Sequence, residues 1–212
     1  MVLFGAPGSG KGTQAERLQR EFSIPHISTG DMLRDAVSRG TELGREAEPI
    51  MKSGGLIPDE MMNGIVAERL RREDAESGFI LDGYPRTLDQ ARQFDRLFEG
   101  NEADSLQVFY LSVPDEVIVS RVSERISCPK CKAIYHQRNS PPQQEGVCDR
   151  CGAALVSRSD DQETGAVRRR LEEYHRQTMP VIEFYREKGV LHEIDGLDSI
   201  DSIFEEIRTQ LT

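Results

Sequence analysis

The chain has 212 residues, with 27 Lys and Arg set against 37 Asp and Glu for a net charge of -10. That length buries the core of one domain, with or without insertions, and a mean hydropathy of -0.54 comes with no apolar run of membrane-spanning length. The acidic balance argues against nucleic acid as a partner, since a phosphate backbone is bound by an excess of Lys and Arg.

In chain order, Val2-Leu3-Phe4 reads as a short buried strand and Lys11 to Phe22 as a helix. Between them Gly5-Ala6-Pro7-Gly8-Ser9-Gly10-Lys11 spells GxxxxGK, and strand, GxxxxGK and helix together form a phosphate-binding loop. Its glycines let several backbone N–H groups converge on one anion, the helix N-terminus adds partial positive charge, and Lys11 adds a full one. A Gly-rich turn that merely links two elements is the alternative, and the full motif in this context outweighs it. The residue after Lys11 is Gly12, with the hydroxyl one place later at Thr13, so direct magnesium ligation there is not expected. A strand starting at residue 2 leaves no room for a targeting peptide, and the expectation is a cytoplasmic protein.

Pro25 to Ser28 is a second strand candidate, and Ser28-Thr29-Gly30-Asp31 signals a helix start running to about Arg39. Gly40, Gly44 and Gly54-Gly55 then punctuate short helices, which reads as a helical insertion over residues 28–57. Asp59 to Arg72 is helical, Phe79 to Asp82 a strand, Leu88 to Phe98 a helix and Val108 to Val113 the most apolar strand. Pro114 opens the next helix. Residues 126–160 break the pattern, and helix (Val167 to Lys188), strand (Val190 to Ile194) and helix (Ile200 to Leu211) close the chain. Strands alternating with helices predict an α/β fold, a five-stranded parallel sheet flanked by helices. Its interruptions at about 28–57 and 124–161 would leave 1–27, 58–123 and 162–212 as the core. Ligands bind beyond the carboxyl ends of such strands, where both interruptions can fold over the phosphate loop.

Phe79-Ile80-Leu81-Asp82-Gly83-Tyr84-Pro85-Arg86-Thr87-Leu88-Asp89-Gln90 is the second informative stretch. An Asp at a strand end near a phosphate loop is where a magnesium-organising carboxylate belongs, here Asp82 acting through water. A plain turn Asp is its equal alternative. Arg86, held by a preceding Pro, suggests a phosphate clamp. Taken together, GAPGSGKGTQ, ISTGDMLR, LDGYPRTLDQ and RSDDQET resemble adenylate kinase, in the family's order and spacing and over the whole chain. The insertion at 124–161 resembles the lid of the long form of that family, and its cysteines resemble the zinc-bearing variant.

Cys128, Cys131, Cys148 and Cys151 are spaced C-x2-C-x16-C-x2-C. Two such knuckles place four thiolates tetrahedrally, a closed structural zinc site. A nucleic-acid-gripping zinc ribbon is the competing reading, made unattractive by the acidic Asp149, Asp160, Asp161 and Glu163 nearby.

The resemblance implies a P-loop nucleoside monophosphate kinase fold, with an insertion that binds the monophosphate and a lid. It implies that Gly8, Ser9, Gly10, Lys11, Gly12 and Thr13 hold the ATP phosphates, with Arg125, Ile134, Tyr135 and the backbone of Asp198 also meeting ATP. For AMP it implies Thr29, Arg34, Gly55, Leu56, Ile57, Gly83, Tyr84, Pro85, Arg86 and Gln90, the last offering donor and acceptor to the adenine edge. Arg158 matches the Arg of the lid hinge. Arg170, the residue before Leu171, aligns with a catalytic Arg, with Arg168 and Arg169 as alternatives, and at helical spacing at most two of the three point inward.

The expected chemistry is reversible in-line phosphoryl transfer, ATP and AMP to two ADP, with magnesium as the ATP counter-ion. Lys11, Arg125, Arg158 and Arg170 would surround the migrating phosphoryl, with Arg86 orienting the acceptor. Closure would exclude water, with Asp160 and Asp161 pairing with Arg or Lys as the lid shuts. A kinase acting on UMP, CMP or a hydroxyl acceptor is one rival, and a non-enzymatic zinc-ribbon nucleotide sensor the other. Without a long apolar face, the default is a monomer that has ATP, AMP and ADP as partners and no membrane partner.

Overall fold

The computed structural model describes residues 1–97, 106–138, 140–158, 161 and 164–211. Five parallel strands form the sheet: β1 (Val2–Phe4), β2 (His26–Ser28), β3 (Ile80–Asp82), β4 (Val108–Ser112) and, in chain order after two strands outside it, β7 (Leu191–Asp195). Their spatial order is β2-β3-β1-β4-β7. Val2 lies opposite Leu81 on one side and Val108 on the other, which makes β1 the central strand. All three of its residues are buried, as a strand covered on both faces must be.

The two-residue period of the strands assigns each side chain to a face. Val2, Phe4, Leu81 and Val108 pack on one side with Phe94, Val66, Val181 and Tyr185. These come from α4 (Asp59–Leu70), α5 (Leu88–Arg96) and α8 (Met179–Glu187). Leu3, Ile80, Phe109 and Leu111 pack on the other side against Ala15 and Leu18 of α1 (Lys11–Phe22) and Ile203, Phe204 and Ile207 of α9 (Ile200–Leu211). Each fully buried Leu, Ile or Phe contributes roughly 1.5–3 kcal/mol.

The register brings Ser28 opposite Asp82, and Leu3 also opposite Asp82. The carboxyl ends of β1, β2 and β3 therefore open side by side, the edge at which ligands of such sheets bind. α2 (Thr29–Ser38) and α3 (Glu42–Ser53) follow β2, and α6 (Asp115–Ser123) follows β4. Ser28 caps α2 as expected, its hydroxyl accepting from the Asp31 N–H at 3.3 Å.

Three expectations are corrected. Gly44 does not punctuate: it lies inside α3, and a Cβ there would come within 2.2 Å of the Ala36 carbonyl oxygen, so glycine lets α3 pack onto α2. The lid is not free of strands, since β5 (Arg125–Ser127) and β6 (Ile134–His136) pair antiparallel within it. The long helix after 164 is α7 (Thr164–Glu173), a π-helical turn over Tyr174–Thr178, and α8. The predicted end of α5 at Phe98 lies outside the described residues.

Candidate active site

A cavity of about 930 Å³ opens over the carboxyl edge of the sheet and is walled by both interruptions. Its floor is the loop of residues 5–10, where Gly5, Gly8 and Gly10 all have positive φ. Gly10, at φ 104, is the N-cap of α1, so the helix begins at Lys11 and points its N-terminal N–H groups into the cavity. The Lys11 ammonium donates to the carbonyls of Gly5 at 2.7 Å and Ala6 at 3.0 Å. Burial, with Arg86, Arg125 and Arg170 nearby, brings its pKa down to about 8 against the pull of Asp82.

Gly12 has a reason in the structure. A Cβ on it would lie 3.1 Å from Cδ1 of Ile134, a lid residue, so glycine at that position lets the lid sit down on the phosphate loop. The lid also reaches α1 through Arg150, whose guanidinium donates to Glu16 at 2.6 Å.

Asp82, at the end of β3, lines the cavity. Burial raises its pKa, but His26, Lys11 and Arg86 reverse this and hold it at about 2, so the carboxylate is ionised at any working pH. His26 stands 3.6 Å away across β2 and β3, and its own pKa is raised because Asp82 outweighs burial. An ionised oxygen donor beside a phosphate loop fits magnesium held through water.

The second wall is built from α2, α3 and the loop after β3. Arg34 pairs with Asp31 at 2.8 Å. Arg86 is fixed along its backbone and its stem: its N–H donates to Gln90 Oε1 at 2.7 Å, its Nε donates to the Gly83 carbonyl at 2.7 Å, and its carbonyl accepts from Thr178 Oγ1 at 3.1 Å. Gly83, Tyr84, Pro85 and Leu56 line the main cavity, while Gly55, Ile57 and Gln90 line a smaller one of about 60 Å³ that shares Arg34, Arg86 and Arg170 with it. Thr29 is the expected residue that reaches neither wall: it is buried, and its hydroxyl donates to the Gly83 carbonyl at 2.9 Å.

Three arginines converge from the lid side and α7, namely Arg125, Arg158 and Arg170. Asp161, whose side chain is 2% exposed, holds Arg125 through Nε at 2.8 Å and NH2 at 2.7 Å, and Arg170 through NH1 at 2.8 Å. Of the three candidates on α7, Arg170 faces the cavity, Arg169 is exposed and donates to the Ser53 carbonyl, and Arg168 is exposed. Arg158 lines the cavity with no hydrogen bond or ion pair to any described residue, and burial together with Arg34 and Arg125 lowers its pKa to about 10. Arg121 was not anticipated. It lines the cavity and donates to the Gly196 carbonyl at 3.0 Å, beside Asp198. Its four-residue spacing from Arg125 was the available signal.

In the lid, one Sγ atom from each of Cys128, Cys131, Cys148 and Cys151 lies within 4.8 Å of the other three. Tetrahedral zinc–sulfur bonds of about 2.3 Å require sulfur–sulfur edges of about 3.8 Å, so the four thiols fit zinc. The Cys131 N–H points at Cys128 Sγ at 3.4 Å, the hydrogen bond of a knuckle. The Tyr135 hydroxyl lies 3.5 Å from Cys148 Sγ, which ties the thiol cluster to β6 and hence to the cavity wall. The expected pairing of Asp160 lies outside the described residues.

A phosphate loop, a ring of cations and an ionised Asp at the end of a parallel sheet suit phosphoryl transfer between two anions. The adenylate kinase family model matches residues 3–190. The chain is 46% identical to the adenylate kinase of Caldanaerobacter subterraneus subsp. tengcongensis, an alignment covering 100% of this chain and 95% of that one. It is also 46% identical to the adenylate kinase of Archaeoglobus fulgidus, covering 100% and 97%, and 49% identical to that of Caldicellulosiruptor bescii, covering 98% and 96%. With geometry and sequence agreeing over its whole length, the chain belongs to the adenylate kinase family.

Proposed function

We propose that this chain transfers a phosphoryl group reversibly from ATP to AMP, giving two ADP. The observation that carries the reading is the cavity ringed by Lys11, Arg34, Arg86, Arg125, Arg158 and Arg170, in which Asp31 and Asp82 are already committed to cations rather than posed as the base that a hydroxyl acceptor requires. Asp82 is already paired with His26 and lies among Lys11 and Arg86. A nucleoside monophosphate is largely ionised at neutral pH, its second pKa being about 6 as in phosphoserine, so its oxygen attacks without proton removal. Catalysis then reduces to alignment and charge neutralisation.

In this reading the loop from Gly8 to Thr13 holds the donor phosphates on the N-terminus of α1. Lys11, Arg125, Arg158 and Arg170 surround the moving group, while Arg34 and Arg86 hold the acceptor phosphate. Gln90 reads the acceptor base, and Ile134, Tyr135, Arg121 and the Asp198 backbone frame the donor base. Asp82 would hold magnesium through water, which when bound supplies positive charge to the bridging phosphate oxygens. Cys128, Cys131, Cys148 and Cys151 would hold a structural zinc. Residues 1–27, 58–123 and 162–212 act as the fixed core, and 28–57 and 124–161 close to keep water from intercepting the phosphoryl. The reading carries with it a cytoplasmic monomer with no nucleic-acid or membrane partner, consistent with the net charge of -10 and with no helix among the described residues long and apolar enough to cross a membrane.

The deciding experiment is a coupled assay for ADP. Mixing ATP, AMP and magnesium with the protein should produce ADP at a rate set by both nucleotides, and omission of AMP should abolish it. UMP, CMP and a hydroxyl acceptor tested alongside should serve poorly. ADP formation that ignores AMP would refute the reading.

A further inference from the structure

Gln90 is 2% exposed and borders the smaller cavity. A glutamine amide by itself is a poor judge of a base, because it carries a donor and an acceptor on one plane and can turn over. In one orientation it complements adenine, accepting from the 6-amino group and donating to N1. Turned by half a revolution it complements hypoxanthine equally well, donating to O6 and accepting from N1–H.

Here both ends of the amide are already engaged by groups that cannot change roles. Gln90 Nε2 donates to Asp59 Oδ1 at 2.7 Å, and a carboxylate only accepts. Gln90 Oε1 accepts from the Arg86 backbone N–H at 2.7 Å, which only donates. Asp59 is itself anchored, since its other oxygen accepts from Thr87 Oγ1 at 2.7 Å. Turning the amide would set oxygen against oxygen at Asp59 and donor against donor at Arg86. Nε2 keeps a second hydrogen and Oε1 a second lone pair, in the order that adenine requires.

We propose that Asp59, at the start of α4, is a specificity-determining residue: it locks the Gln90 amide so that the site accepts a 6-aminopurine monophosphate and rejects a 6-oxopurine one. This rests on the reading above that Gln90 meets the acceptor base. Asp59 touches no substrate and acts through Gln90, as a positioning residue.

The test compares AMP with inosine 5′-monophosphate as acceptors, by kcat/KM, in the wild-type protein and in Asp59→Asn and Gln90→Ala. Wild type should prefer AMP by at least about a hundredfold, because the rejected base leaves buried polar groups unpaired. In Asp59→Asn the new amide can rotate to face either end of Gln90, so the preference should fall by about tenfold or more. A role in stability alone would lower both activities together and leave their ratio unmoved. An Asp59→Asn preference within twofold of wild type overturns the proposal. So does equal use of the two acceptors by wild type, a result that stands even if the variant fails to fold. Gln90→Ala separates the two levels of the argument: an unchanged KM for AMP would refute base reading by Gln90, whereas a raised KM beside an unmoved Asp59→Asn ratio would refute only the lock.

Discussion

Two classes of arginine share the cavity wall, and they should respond to mutation in opposite ways. Arg125 and Arg170 are held by one carboxylate, Asp161, so either loses packing and an ion pair when truncated. Arg158 makes no such ion pair among the described residues, and burial with Arg34 and Arg125 depresses its pKa by more than Asp31 and Asp161 raise it. A half-buried cation kept among like charges costs stability unless an anion meets it. Arg158→Met should therefore lower kcat by on the order of 10²–10³, the usual loss for a preorganised charge stabiliser, while the ligand-free protein melts at the same temperature or slightly higher. A clear drop in melting temperature would show that Arg158 is structural. That Asp161 meets Arg or Lys was expected from the sequence, but which cations it meets was not. The motif gives the residue type, but which arginine meets which carboxylate depends on Asp161 being brought between β5 and α7. The same holds for His26, Arg121 and Asp59, whose roles come from neighbours distant in the chain.

Elements were more legible, for physical reasons that also explain the failures. β1, β3 and β4 are short apolar runs ended by Gly, Asp or Pro, and a buried parallel strand leaves that mark. The helices from Lys11, Leu88 and Ile200 begin where the sequence reading starts them, and Ser28 gives itself away as an N-cap. β5 and β6 escape because three residues apiece show no period, and the loop between them carries Cys128 and Cys131. The π turn at Tyr174–Thr178 escapes because one extra residue per turn leaves the composition helical. That turn has a purpose: it swings the buried Thr178 hydroxyl onto the Arg86 carbonyl at 3.1 Å. Thr178→Val keeps the shape and removes that hydrogen bond, which costs about 0.5–1.5 kcal/mol. The KM for AMP should rise by about tenfold, with Thr178→Ser restoring it and with the KM for ATP little changed. An equal rise in both would mean that the turn acts on the fold as a whole.

At the scale of the molecule, the lid presents an energetic problem that a metal on its four thiols would answer. Its core is a cluster of Cys128, Ala133, Tyr135 and Cys148, with a handful of half-buried neighbours. So few buried side chains are a small hydrophobic gain to set against the entropy of ordering the lid's backbone. A zinc held by the four thiols would make metal binding part of the lid's folding energy. The same lobe places Ile134 over Gly12 and Arg150 against Glu16, so whatever orders the knuckles also orders the roof of the active site. Stripping zinc with a strong chelator should therefore do three things together: lower the melting temperature, reduce kcat, and raise the fraction of ATP lost to water during turnover. The parallel sheet has its own two-faced core and should keep its far-ultraviolet circular dichroism. Readdition of zinc should restore all three properties. If the chelated protein contained no zinc yet melted and turned over as before, the lid would have to be held by its hairpin and ion pairs alone, and the surface pair between Arg150 and Glu16, worth at most about 1 kcal/mol, is too weak for that task.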